Sequence, residues 1–253
     1  MHNNVIVNII SLYKQGKRLD NFMKMIDILY AKGFNLSVVL QNYPDEITKK
    51  LKNREIDVML CEAKNPSTAE NEFLKKYYNS NYDFFIMLHD DIILDTKVRT
   101  QEQDFISYFL KEVNALKKDE VAITLQENSF VYRNVNKPII QETLHFWEPA
   151  FLFVNIYKKF KIKVFFDSDI YGAEGTAFSC SLLRNGFKVM AHYGQATFKQ
   201  MLEKSTYGNH DERKEKLKKY RIQIYEKNKD IFTFTKNNQL RRIKHAIKKI
   251  GST

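Results

Sequence analysis

The chain has 253 residues, 43% of them hydrophobic and 13% aromatic, which is ample material for a sizeable core and excludes global disorder. Its two cysteines, Cys61 and Cys180, exclude a disulfide scaffold and a cysteine-built zinc finger, and they fit a reducing compartment. The net charge of +11 asks for an acidic partner, which is a nucleic acid, an anionic membrane or a phosphorylated substrate.

The start of the chain is apolar only from Val5 and lacks a basic leader and a small-residue cleavage site, so Val5–Ile10 reads as a buried strand. Leu19, Phe22, Met23, Ile26, Leu29 and Tyr30 recur at helical spacing and stop at Gly33. Leu36–Leu40 is a second strand, closed by Asn42-Tyr43-Pro44. Ile47 and Leu51 mark a short helix, Ile56–Leu60 a third strand, Ala69–Tyr78 a helix, and Phe84–Leu88 a fourth strand that ends in His89-Asp90-Asp91. Further on, the patterns predict a helix over 105–116, a strand over Val121–Leu125, a strand at Val164–Phe166, a helix over Thr176–Arg184 stopped by Asn185-Gly186, and a last strand over Lys188–His192. Phe146–Tyr157 is aromatic and apolar with no clear period. Its core, Ala150–Ile156, is far short of the roughly 20 residues a membrane helix needs, so a soluble or peripheral protein is expected. Alternation of strands and helices predicts a parallel α/β sheet covered on both faces, with ligands at the carboxyl ends of the strands.

The usual nucleotide motifs are absent. The eight glycines permit neither G-x-G-x-x-G nor a P-loop, and no G-x-S-x-G elbow exists. A charged ligand then needs another holder, and a divalent cation on carboxylates is one. Asp90-Asp91 follows the five apolar residues Phe84–Leu88 and His89. Like charges at such a strand mouth are costly unless a cation neutralises them, and Mg²⁺ or Mn²⁺ takes one or two carboxylates and completes its shell with phosphate oxygens. The same pair equally suits the solvated start of a loop.

The segments Asn65–Asn71 and Tyr82–Ile92 resemble the donor-binding half of GT-A glycosyltransferases, in particular inverting family 2. In that family a strand, an Asn-bearing helix and the pattern "aliphatic–D-x-D–aliphatic" follow in this order. Ile10-Ser11-Leu12-Tyr13 is similar to the family's first-strand P-T-Y element without its proline. His89 stands at the first D-x-D position and Asp91 at the last. Tyr171–Ser179 with Leu182–Val189 resembles the block "G-x-E-D … R-x-x-G-y-x-v", with Gly175 where an Asp is usual.

The resemblance spans about residues 5–198 and implies a GT-A domain over 1–198, an α/β fold with a Rossmann-like, mostly parallel sheet and flanking helices, followed by a basic, mainly helical extension over 199–253. It implies Glu174 as catalytic base, Asp91 and His192 as ligands of Mn²⁺ or Mg²⁺, and Ser11, Tyr13, Asn42, Asn71, His89 and Asp90 as contacts to a UDP-, GDP- or dTDP-sugar. Asp167 and Asp169 could serve as base or cap a turn. Trp147, beside Glu148, could stack on a sugar or belong to the core, and His145 has no evident partner.

The charge is divided unevenly. Residues 199–253 hold 16 Lys and Arg against 6 Asp and Glu, whereas the rest of the chain is nearly neutral. Leu240, Ile243, Ala246, Ile247 and Ile250 form an apolar stripe among Arg241, Arg242, Lys244, Lys248 and Lys249. Such a helix suits an anionic membrane surface, nucleic acid, or packing against the body. Taken together, the sequence predicts a metal-dependent glycosyltransferase, cytoplasmic and peripheral to the membrane, acting on a glycan or glycolipid acceptor. Two other readings stay open. One is transfer to modified DNA bases of the bacteriophage type. The other is a non-catalytic GT-A-like module with a nucleic-acid-binding tail.

Overall fold

A computed structural model describes residues 4–62, 65–94, 116–125, 139–143, 149–170, 173–193, 198–200 and 210–234. The first half alternates as expected: β1 (Val5–Leu12), α1 (Lys17–Ala31), β2 (Asn35–Gln41), α2 (Asp45–Lys52), β3 (Asp57–Leu60), α3 (Pro66–Tyr77) and β4 (Phe84–His89). There follow β5 (Ile92–Leu94), β6 (Glu120–Leu125), β7 (Ile139–Glu142), β8 (Ala150–Val154), α4 (Ile156–Phe160), α5 (Glu174–Arg184), β9 (Lys188–Tyr193), β10 (Phe198–Gln200), α6 (His210–Lys227) and α7 (Lys229–Phe234).

Eight strands form one sheet in the order β3-β2-β1-β4-β8-β6-β9-β7. The sheet is mixed rather than parallel: β8 runs antiparallel to both β4 and β6, and β7 antiparallel to β9. The other neighbours run parallel, so the sheet is mostly parallel, as the resemblance implied, with β7 and β8 as its reversed members. The aperiodic apolar run at Ala150–Val154 is β8, a strand inserted at the centre and buried on both faces, which is why its sequence carries no alternation. β1 is buried along almost its whole length for the same reason.

One core lies between the sheet and α1, with Val7, Ile9, Phe22, Ile26, Ile86 and Leu88 among its members. The other lies under α3 and α5, with Ile6, Phe73, Phe85, Met87, Phe153 and Phe178. α1 ends through Gly33 at φ 73°, whose N–H bonds the Tyr30 carbonyl while Phe34 N–H bonds that of Leu29. This left-handed turn costs glycine nothing and returns the chain into β2.

Val164–Phe166, expected as a strand, lies in no ladder. Its backbone is held instead by side chains of α3 and the residues at its ends. Asn71 bonds both polar groups of Phe166, Tyr78 those of Val164, and Asn65 the carbonyl of Ser168. Phe166 stacks on Phe178 of α5 at 4.0 Å between centroids, which ties this segment to α5.

β10 pairs with β5, so the expected boundary between 198 and 199 falls inside a paired strand. α6 packs on α5 through Ile224, which is 2% exposed and lies against Ile170, Ala173, Ala177 and Cys180. Arg184 fastens the junction by hydrogen bonds to Asn228, to both carboxylate oxygens of Asp230 and to the Lys227 carbonyl. The helix expected over 105–116 lies outside the described residues apart from Leu116, and the basic stripe over 240–250 lies outside them entirely. Among the described residues no helix is long and apolar enough to cross a membrane.

Candidate functional site

The site follows from strand direction. β1, β2, β3 and β4 are mutually parallel, β8 reverses, and β6 and β9 return to the first direction. The carboxyl ends of β1, β2, β4, β6 and β9 therefore share one edge. α5 leads into β9 through a tight turn at Asn185-Gly186, so its N-terminus, bearing Glu174, comes to that same edge. Tyr13, Asn42, His89–Asp91, Glu174 and His192 are thus gathered from separate stretches of chain onto one side of the sheet. His192 is placed there by its position in β9; its side chain is outside the described residues.

Pleating divides the acidic strand end. Ile86 and Leu88 face the α1 core, and Phe85 and Met87 face the α3 core. By the same alternation His89 turns toward α3, where its Nε2 lies 3.4 Å from Glu70 Oε1. Asp90 turns toward α1. One of its oxygens accepts from both the Nε of Arg18, at 2.7 Å, and the Arg18 terminal nitrogen. The other accepts from Ser11 Oγ at 2.5 Å. Ser11 in turn takes a bond from the Tyr43 hydroxyl. Burial raises the Asp90 pKa, and the adjacent Arg18 and Ser11 oppose that rise. Burial likewise pushes the Tyr43 phenol up. Asn21 donates to the carbonyls of Asp90 and Ile92 at 2.8 Å each and pins the turn to α1.

Three of the expected donor contacts have other partners within the fold. Asp90 and Ser11 are both 0% exposed and engaged with one another, bracing the strand end from below. Asn71 is spent on Phe166 and positions the 164–168 segment. The other expected donor contacts stay near the mouth. Asn42 is exposed with φ 57°, and Tyr13 packs edge-on against Tyr43 with 5.2 Å between centroids. Burial drives the His89 pKa down to about 4, so the imidazole is neutral at physiological pH. Asp91, partly exposed, occupies the turn between β4 and β5.

Glu174 is 3% exposed at the first turn of α5, where the helix dipole favours a carboxylate. Asp167 caps a turn by accepting from the backbone N–H of Asp169 at 3.1 Å, the second of the two roles its sequence suggested. His145, Trp147 and Glu148, and Tyr171 and Gly172 of the Glu174 block, lie outside the described residues.

Sequence reasoning missed Arg18, Asn21, Tyr43 and Glu70. The available signal was spacing: Arg18 and Asn21 stand at i and i+3 at the start of α1, on the strand-end side of an otherwise apolar face. Among the described residues no three His, Cys, Asp or Glu side chains converge to form a cation cage. Among the described residues, Asp91 is the partly exposed carboxylate at this mouth, and Mg²⁺ or Mn²⁺ bound to a diphosphate typically takes only one or two carboxylates from a protein.

Neither a family model nor a curated protein sequence matches the chain. Solved structures do resemble it in shape. A mycobacterial protein aligns with a TM-score of 0.56 at 8% identity over 89% of this chain and 75% of its own. GalNAc-T7, solved with UDP, GalNAc and Mn²⁺, aligns with a TM-score of 0.51 at 11% identity over 88% of this chain and 48% of its own. Likeness at these identities speaks to architecture, and the architecture is the expected one: the chain has the GT-A fold.

Proposed function

We propose that this protein is a glycosyltransferase that uses a nucleotide-diphosphate sugar and a divalent cation, and that it inverts the anomeric centre. The observation that carries this reading is the gathering of Tyr13, Asn42, His89–Asp91, Glu174 and His192 at the carboxyl edge of a GT-A sheet. Ligands of open α/β sheets bind at such an edge.

The roles follow from chemistry and placement. Tyr13, braced by Tyr43, offers a ring beside β1 and β2 on which a nucleoside base can pack, and Asn42 offers an amide next to it. Asp91 and His192 would hold Mn²⁺ or Mg²⁺, which when bound neutralises charge on the diphosphate leaving group. His89, neutral and set against Glu70, lines the same mouth. Arg18, Asn21, Ser11 and Asp90 keep the β4–β5 turn in place, so that Asp91 is presented by rigid backbone.

The acceptor hydroxyl attacks the anomeric carbon, the new C–O bond forms as the bond to the diphosphate oxygen breaks, and Glu174 takes the hydroxyl proton. The burial of Glu174 keeps water from competing for the carboxylate. α6 docks on α5, the helix that carries Glu174, so part of the basic extension lies against that helix. That supports a glycan or lipid-linked acceptor held at an anionic surface.

The test is a panel of UDP-, GDP- and dTDP-sugars with Mn²⁺, read by thermal stabilisation and by release of nucleoside diphosphate. A transferase is stabilised by at least one donor and turns it over. Glu174→Gln should keep donor stabilisation and lose turnover by at least about a hundredfold. Absence of any donor effect would overturn the reading.

A further inference from the structure

A second concavity lies at the opposite edge of the sheet, where β1, β2 and β3 begin. It has a volume of about 270 Å³, and its walls include Tyr30, Asn35, Glu55, Asp57, Tyr77 and Tyr82. Nothing proposed for the strand-end site uses it.

The cavity is polar by construction. Asn8, Ser37 and Asp57 are register partners across β1, β2 and β3 and form one polar row beneath α3. Asn8 is fully buried, yet neither atom of its amide has a hydrogen-bond partner among the described residues. A buried amide in that condition calls for ordered water behind the cavity wall, on the row that ends at Asp57. The row leads outward to Asp57, whose carboxylate is aimed by the Tyr77 hydroxyl and by Lys76 at 2.6 Å.

Two further features line the cavity. Tyr30 is 48% exposed, with the Arg54 guanidinium 5.1 Å from its ring centroid. Glu55 sits just past α2 in left-handed backbone, φ 59°, where glycine is the usual residue. A non-glycine residue there is strained, and strain of this kind gathers at ligand clamps. The result is a carboxylate set at the cavity.

The lining selects the ligand. Glu55 and Asp57, together with the negative ends of α1 and α3, oppose phosphate and other anions. Lys76 and Arg54 already occupy the cationic positions on Asp57 and Tyr30. Tyrosine rings for C–H faces, with carboxylates and an amide for hydroxyl groups, match a neutral polyhydroxylated ring. The volume is below that of drug-sized pockets and suits one such ring.

We propose that this cavity binds a single ring of a neutral saccharide and anchors a glycan at the edge of the sheet opposite the transfer site. The proposal does not depend on the transferase reading, because it rests on a different set of residues. The experiment is saturation-transfer NMR on the full chain with four probes in turn: methyl β-glucoside, methyl α-mannoside, methyl β-galactoside and the methyl glycoside of N-acetylglucosamine. Spectra are taken without and then with excess UDP and Mg²⁺, which fill the strand-end site.

At least one glycoside should receive saturation. Tyr30→Ala and Glu55→Gly should each weaken that signal at least about threefold at equal concentration. Tyr30 is half-exposed and Glu55→Gly relieves backbone strain, so both variants should melt no lower than the wild type by more than a few degrees. No saturation of any probe, a signal unchanged in both variants, or a signal that UDP and Mg²⁺ abolish would each overturn the proposal.

Discussion

Asn71 grips Phe166 by both of its backbone polar groups: Nδ2 donates to the carbonyl at 2.9 Å, and Oδ1 accepts from the N–H at 2.8 Å. One side chain on α3 thus does what a neighbouring strand would do. Tyr78 repeats the arrangement at Val164, its hydroxyl accepting from that N–H at 3.3 Å and donating to that carbonyl. The extended segment is thereby satisfied without a sheet partner, and its Phe166 ring is free to stack on Phe178. Through that stack, α3 helps to set where α5 begins, and so where Glu174 stands.

Asn71→Ala should therefore be costly. It leaves a buried donor and a buried acceptor unsatisfied, each worth about 1–3 kcal/mol, so a loss of about 3 kcal/mol in urea unfolding is expected. Asn71→Asp keeps the acceptor for the Phe166 N–H but sets a carboxylate against the Phe166 carbonyl, and it should be no better than alanine. A loss below about 1 kcal/mol for Asn71→Ala would mean that the grip is not needed to hold the segment.

Much of this was legible in the sequence, and the reasons are local. β1, β2 and β4 are mainly apolar runs, the first followed by a break at Gln15-Gly16 and the second by a turn at Pro44, so composition and punctuation agree. The arrival of β8 between β4 and β6 was not legible, because a strand buried on both faces has no period to reveal its direction. Val164-Phe165-Phe166 has strand-like residues, but its hydrogen bonds go to side chains seven residues apart on a helix, a pairing no local pattern encodes.

The strand end shows the same limit. The pair Asp90-Asp91 was visible, but not its division. One pleat sends Asp90 down to Arg18, and the next residue opens onto the mouth. Knowing that neighbours alternate gives the division only once the faces are assigned, and the assignment comes from α1 packing beneath.

That division predicts different outcomes for adjacent residues. Asp91→Ala should remove most of the Mn²⁺-dependent part of donor stabilisation while leaving the apo melting temperature within a few degrees, since Asp91 is partly exposed. Asp90→Ala should do the reverse to stability. It leaves the Arg18 guanidinium, 13% exposed, without its carboxylate, and losing one partner of a buried pair costs about 3–5 kcal/mol. Equal Mn²⁺ titrations for wild type and Asp91→Ala would remove Asp91 as a ligand.

The same pair can be weighed directly. Arg18→Leu and Asp90→Leu should each destabilise strongly, while the double variant should cost much less than their sum, because no charge is then left buried alone. A double-mutant cycle in guanidinium chloride should give a coupling of about 2 kcal/mol or more. Additive losses would mean that Arg18 and Asp90 act independently of one another.

Cys180 reports on the docking of α6. It is 1% exposed, packed against Ile224, and burial pushes its thiol up to about 12. At pH 8 the thiolate fraction is then about one in ten thousand, and the thiolate is the reactive form. Cys180 should resist a disulfide reagent in the native protein carrying Cys61→Ser, and Ile224→Asp, which undocks α6, should raise the labelling rate at least tenfold. The pH dependence has a definite sign. The folded value lies above the unfolded one, near 9, so the neutral thiol contributes stability that is present in full below pH 9 and is lost as pH climbs toward 12. Buried tyrosines lose stability over the same alkaline range, so the thiol's share appears in a difference. Between pH 9 and 11 the wild type should lose stability more steeply than Cys180→Ala, by about 1.4 kcal/mol for each pH unit. Parallel curves for the two proteins, or rapid native labelling at pH 8, would place Cys180 in solvent rather than under α6.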